Sequence, residues 1–91
     1  MPKFIIERNM TAVGNAPRSE LQSTSKKSND VLKELGPRIQ WLESFVTKDK
    51  IYCVYIAANE EQIRQHAEKV GIPANEISEV RTIIDPTTAE Q

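Results

Sequence analysis

Three side chains of this 91-residue sequence are best suited to chemistry: His66, the only histidine; Cys53, the only cysteine; and Glu43, set inside Ile39-Gln40-Trp41-Leu42-Glu43-Ser44-Phe45-Val46. Imidazole and carboxylate together suit divalent metals such as nickel, copper or zinc. The same groups serve as general acids and bases near neutral pH. Glu43 falls on the alternating set Ile39, Trp41, Glu43, Phe45, where a carboxylate is either solvated at a sheet edge, paired with Arg8 or Arg81, or aimed at a ligand. In a semi-apolar pocket its pKa would rise by desolvation unless a cation sat beside it.

The structural readings of these residues are plain. His66 reads as a polar group flanking the buried stripe of a helix. Cys53, mid-strand between apolar neighbours, reads as a small buried hydrophobe. Tyr52 and Tyr55 read as packing residues with hydrogen-bonded hydroxyls. One chain offers one imidazole and one thiol, so a site built across a two-fold axis would double the ligand supply.

Other chemistries find little support. The three glycines are isolated, and there is no phosphate loop, CxxC, HExxH or GxSxG. Twelve Lys and Arg against thirteen Asp and Glu leave a net charge of -1 with no run of one sign, which argues against nucleic acid as a partner. A lone cysteine allows no intrachain disulfide. No stretch approaches the roughly 20 apolar residues of a membrane span. A cytoplasmic protein with no membrane partner is the expectation.

The elements that must position these residues follow from periodicity and punctuation. A strand is expected over residues 3–8, apolar on both faces. MTAVGNAPR reads as a loop. Ser19-Glu20-Leu21-Gln22 has the form of a capping box, and a helix should run over 20–35 with Leu21, Thr24 or Ser25, Ser28, Val31 or Leu32, and Leu35 on its buried stripe. Gly36-Pro37 ends it. Strands over 39–47 and 51–57 are joined by a tight Lys48-Asp49 turn. Asn59 caps a second helix with Ile63, Ala67 and Val70 buried. A last strand spans 77–84 and Asp85-Pro86 stops it, leaving residues 87–91 as a loose tail.

The order is strand, helix, strand, strand, helix, strand. It predicts one α+β domain over 1–86 with a ferredoxin-like βαββαβ sandwich, a four-stranded antiparallel sheet carrying both helices on one face. The uncovered face must then be wet, occupied by a ligand or buried against a partner, and a homodimer is the economical solution. A two-residue turn pairs Phe45 with Tyr52, Glu43 with Val54 and Trp41 with Ile56. It puts Ile39, Trp41, Glu43, Phe45 and Tyr52 together on the open face, with Trp41, Phe45 and Tyr52 as pocket lining.

The segments PKFIIER, ELGPRIQWLESFVTKDKIYCVYIAANEEQIRQHAEKVGIPANEISEV and TIIDPTT resemble a family of small bacterial proteins, long described as a domain of unknown function and now often called nickel-binding or nickel-responsive. The resemblance covers nearly all the chain except residues 10–30, and DKIYCVYIA, RQHA and GIPAN are its most specific stretches. It implies a ferredoxin-like fold, a homodimer and, in some members, bound nickel. His66 matches the family's helical histidine. Glu43 stands where relatives are expected to carry histidine, in a tryptophan-x-histidine-serine-aromatic pattern that here reads Trp41-Leu42-Glu43-Ser44-Phe45. Phe45 replaces a tyrosine in the same way.

The leading expectation is thus a small dimeric binding protein with a divalent-metal site at His66 and Glu43. One alternative is an enzyme of the dimeric α+β barrel type, an isomerase or cofactor-free monooxygenase, in which Glu43 with Tyr52 or His66 handles protons on a small apolar ligand. Another is a module whose open face serves only to dimerise.

Overall fold

The computed structural model describes residues 1–91. The strands are β1 (Lys3–Asn9), β2 (Ile39–Val46), β3 (Lys50–Ala57) and β4 (Glu76–Glu79); the helices are α1 (Arg18–Leu35) and α2 (Glu60–Val70). The strands form one antiparallel sheet in the order β2-β3-β1-β4, which is the expected ferredoxin-like arrangement. Phe4 and Ile6 of β1, Ile39 of β2, and Cys53, Tyr55 and Ala57 of β3 pack with Ile63 of α2 into the core. Burial of these side chains drives the fold, each contributing about 1.5–3 kcal/mol for a large aliphatic or aromatic group. The other face of the sheet, with Ile5, Glu43, Phe45, Tyr52, Val54 and Ile56, carries no helix.

The tight turn forms as expected, with Thr47 N–H donating to the Lys50 carbonyl at 2.8 Å. Phe45 opposes Tyr52 and Glu43 opposes Val54, but Trp41 opposes Tyr55 and Ile39 opposes Ala57. Leu42 is the extra residue of a β-bulge between Trp41 and Glu43. An inserted residue breaks the period-2 alternation and reverses the side chains beyond it. Ile39 and Trp41 therefore face the helices, not the open side with Glu43 as the strict alternation predicts.

Both helices keep their expected faces. In α1, Ser28 and Val31 are buried, while Leu21, Thr24, Ser25, Leu32 and Leu35 are half-buried beside them. Its start differs from the capping-box expectation. The helix begins at Arg18, and Pro17 is its N-cap residue, with no side-chain cap. The Pro17 carbonyl accepts from the amides of Glu20 and Leu21, a use of proline's fixed φ at a helix entrance. In α2 the Asn59 side chain accepts from the Gln62 amide at 3.1 Å, as expected, and Gly71 ends the helix at φ 85°, where a side chain would be strained.

The last strand is shorter than its sequence. Only Glu76–Glu79 pair with β1, and beyond Val80, whose amide donates to Lys3, residues 81–84 make no backbone hydrogen bond. Ile83 and Ile84 are 69% and 75% exposed. A short 3-10 turn over Pro86–Glu90 follows, capped by Asp85 and Thr88 and with no buried residue. The radius of gyration is 14.1 Å, against about 12 Å for a compact chain of this length.

The loop before α1 is fixed by a close approach. The Gly14 amide donates to the Lys48 carbonyl at 2.9 Å, and a Cβ at Gly14 would lie 2.7 Å from the Thr47 carbonyl oxygen and 2.9 Å from the Lys48 Cα. Both obstacles are backbone, so the β2–β3 turn would have to move. Gly14→Ala should destabilise the fold by about 1–3 kcal/mol, read as a lower denaturation midpoint in urea. An unchanged midpoint would show that the turn gives way freely.

Candidate functional site

The strand that begins the chain places a charge in the interior. Phe4, Ile6 and Arg8 alternate on the covered face of β1, and Arg8 is 0% exposed. Its Nε donates to the Cys53 Sγ at 3.3 Å and its Nη1 to the Pro73 carbonyl at 2.8 Å. Its Cζ lies 6.0 Å from the centre of the Tyr55 ring, at the outer reach of a cation–π contact. Its Nη2 has no partner, and Arg8 takes part in neither ion pair of the structure, Lys50–Glu7 and Arg64–Glu60. Buried charges are normally paired, because an unpaired one loses its hydration without recompense.

Arg8 lines a cavity of about 540 Å³ between α1 and the covered face of the sheet. Leu21 of α1, Trp41 and Val46 of β2, and Ile51 and Tyr55 of β3 supply apolar wall, and Ser25, Ser28 and Ser44 supply hydroxyls. The volume lies within the roughly 300–1,000 Å³ of small-molecule sites. The bulge at Leu42 shapes this cavity: by turning Trp41 inward it lays the indole over the space. Ser44, on the same face beyond the bulge, accepts from the indole Nε1 at 2.9 Å.

His66 sits behind this wall. It is 0% exposed, with its Nε2 3.0 Å from the Ser28 Oγ and its ring 5.3 Å from that of Tyr55. Its Nδ1 has no partner. Burial, and then the positive charge of Arg8, push its pKa down to about 4, so the ring is neutral at physiological pH. Burial likewise raises the Tyr55 phenol. His66 is thus a core residue rather than one flanking the stripe. The missing signal was its partner: only the packing of α1 on α2 reveals that Ser28 meets it.

The sequence-predicted site residues divide across the sheet. Trp41 lines the cavity, whereas Phe45 and Tyr52 lie on the open face and do not. Glu43 is exposed on that face, so His66 and Glu43 are not brought together within one chain. No group of three or more His, Cys, Asp or Glu side chains gathers to hold a metal ion. The orphan Nδ1 of His66 does not fit a cation either, since it is sealed in the core and shares its surroundings with the Arg8 charge. Arg8 itself, read from sequence only as a partner for Glu43, was legible in one respect: PKFIIER puts it in register with Phe4 and Ile6.

The depressed pKa of His66 has a consequence for stability. The unfolded chain takes up this proton near pH 6.5 and the folded chain only near 4. The contribution is therefore complete above the unfolded value and lost as pH falls through that window. At most about 3 kcal/mol is involved. In urea unfolding between pH 7.5 and 4.5, His66→Gln should lose less stability than the wild type. Equal losses would show that His66 titrates normally.

Comparison with known proteins agrees with this architecture. The crystal structure of SCO4226 from Streptomyces coelicolor A3(2) superposes with a TM-score of 0.76 at 19% identity, covering 90% of this chain and 99% of that one. At that identity the likeness establishes the fold. No curated protein sequence matches the chain. The profile of the family described as nickel responsive protein SCO4226-like matches residues 4–80, and the chain belongs to that family.

Proposed function

We propose that the protein is a small homodimeric binding protein whose ligand enters the cavity between α1 and the sheet. The observation that carries this reading is the cavity itself, a mostly apolar concavity with a few interior polar groups, the composition of small-molecule sites. Binding is better supported than catalysis. Among the lining residues there is no carboxylate and no imidazole, and the acid or base that an enzyme reading needs lies elsewhere: Glu43 and Tyr52 across the sheet, His66 behind Ser28.

The dimer is supported by what one chain leaves uncovered. Phe45 is 54% and Ile5 40% exposed on the open face, and Ile83 and Ile84 are exposed toward the C-terminal end. Large apolar side chains left exposed on a sheet face without helices are groups that a second copy can cover on so small a domain. Light scattering after size exclusion should give twice the chain mass for the wild type and the chain mass for Ile5→Glu. A monomeric wild type at micromolar concentration would refute the dimer.

The family's description as nickel responsive favours a second reading, in which the chain binds nickel. Because no group of three or more metal-ligating side chains gathers within one chain, this reading holds the metal between two subunits. The ligand this chain offers there is Glu43, exposed on the open face and free of any hydrogen bond or ion pair; a two-fold axis would supply a second copy. In nickel titration calorimetry, Glu43→Ala should then weaken binding by roughly tenfold or more, as even outer-shell partners of metal sites are worth that much, while His66→Ala leaves it unchanged. Loss of nickel on His66→Ala, with Glu43→Ala unaffected, would contradict this placement.

A further inference from the structure

We infer that the cavity takes a small organic anion, a single carboxylate on an apolar body, with the carboxylate on Arg8. This rests on the reading of the cavity as the ligand site and adds the chemical class of the ligand.

The argument starts from Arg8. A guanidinium carries five N–H donors and does not shed its charge on burial as lysine can. Only two of the five are engaged, by the Cys53 sulfur and the Pro73 carbonyl, and Nη2 has no partner at all. These two bonds hold the plane of the group while leaving donors unspent. The residue is fully buried and lines the cavity. The unmet demand of this site is therefore for a negative charge with acceptor oxygens.

The rest of the lining points the same way. Arg18 and Lys26 on α1 are its other charged members, and there is no Asp or Glu among the lining residues, although acidic residues outnumber basic ones in the chain. His66, behind Ser28, is neutral and contributes no competing charge. The rest of the space is bounded by Leu21, Trp41, Val46, Ile51 and Tyr55. A bare inorganic anion would leave those walls unused, whereas an anion with an apolar body satisfies both. Arginine suits a carboxylate because its planar fork can donate two parallel bonds to the two oxygens.

Trp41 is the only tryptophan and lines the cavity, so its fluorescence reports occupancy directly. Phenylacetate and hexanoate are titrated against phenylacetamide, hexanamide and inorganic phosphate. Both carboxylates should change Trp41 emission saturably and bind about tenfold or more tighter than their amides, the worth of a charge-assisted bond to a buried guanidinium. Phosphate should bind more weakly than either carboxylate. Arg8→Gln should remove the preference for carboxylate over amide. Because that variant alters a buried residue, Ser25→Glu serves as the second: it introduces a carboxylate into the cavity from α1 and should abolish carboxylate binding while raising the melting temperature of the free protein. Amides that bind as tightly as carboxylates would overturn the anion assignment and leave the cavity reading standing. Phosphate binding as tightly as the carboxylates would overturn the apolar body. No response of Trp41 to any of the compounds would overturn the cavity reading as well.

Discussion

The constraint on which the rest of this structure depends is a guanidinium held in the core without a counterion. Arg8 enters the interior because β1 alternates, and Phe4 and Ile6 oblige the next residue of that face to follow them inward. Once there, it is steadied by a thiol from β3 and a carbonyl from the loop after α2. The neighbouring groups arrange themselves around that charge. Tyr55 sets its ring beside it, His66 stays neutral near it, and the small hydroxyl residues of α1 leave a space before it that bulkier side chains would have filled. A core built only for stability would place a carboxylate or an apolar residue here, since breaking or omitting one half of a buried pair is costly. The omission is intelligible as a binding site whose second half arrives with the ligand.

Two features divide the labour of the sheet. On the covered face, the bulge at Leu42 turns Trp41 inward to roof the cavity, and on the open face the same bulge leaves Glu43 and Phe45 outward. The two families of expected chemistry are thereby separated by the thickness of the sheet. The cavity lies on the helix side, and Glu43 and Phe45 lie exposed on the other. The description of the family as nickel responsive is compatible with this division, because a metal held by Glu43 would lie apart from the cavity.

Much of the fold was legible in the sequence. Hydrophobic period, the Gly36-Pro37 stop, the Asn59 cap and the Lys48-Asp49 turn sufficed for the element order and hence the ferredoxin-like sheet. The stripe of α1, down to the buried Ser28, was also readable, because small residues at helical spacing mark a close approach. What escaped were features set by tertiary contact. The bulge has no local signature in Gln40-Trp41-Leu42-Glu43, so the face of Trp41 was misread while that of Glu43, nearer the turn, was right. The start of α1 moved because Pro17 at the entrance outweighed the Ser19 capping pattern. The last strand stopped at Glu79 although Val80, Ile83 and Ile84 have strand character, since β1 offers no further partner beyond Lys3. His66 and Arg8 have ordinary local contexts, and only the packing of α1 against α2 and the sheet makes one a sealed imidazole and the other an unpaired charge.

The most direct test of the central claim observes the guanidinium itself. In nitrogen-15 NMR of the arginine side chains, titration with phenylacetate should shift the Arg8 Nε and Nη signals saturably, together with the Trp41 indole signal, while exposed arginines such as Arg64 stay in place. Arg8 signals that remain unmoved as the carboxylate saturates would contradict the account.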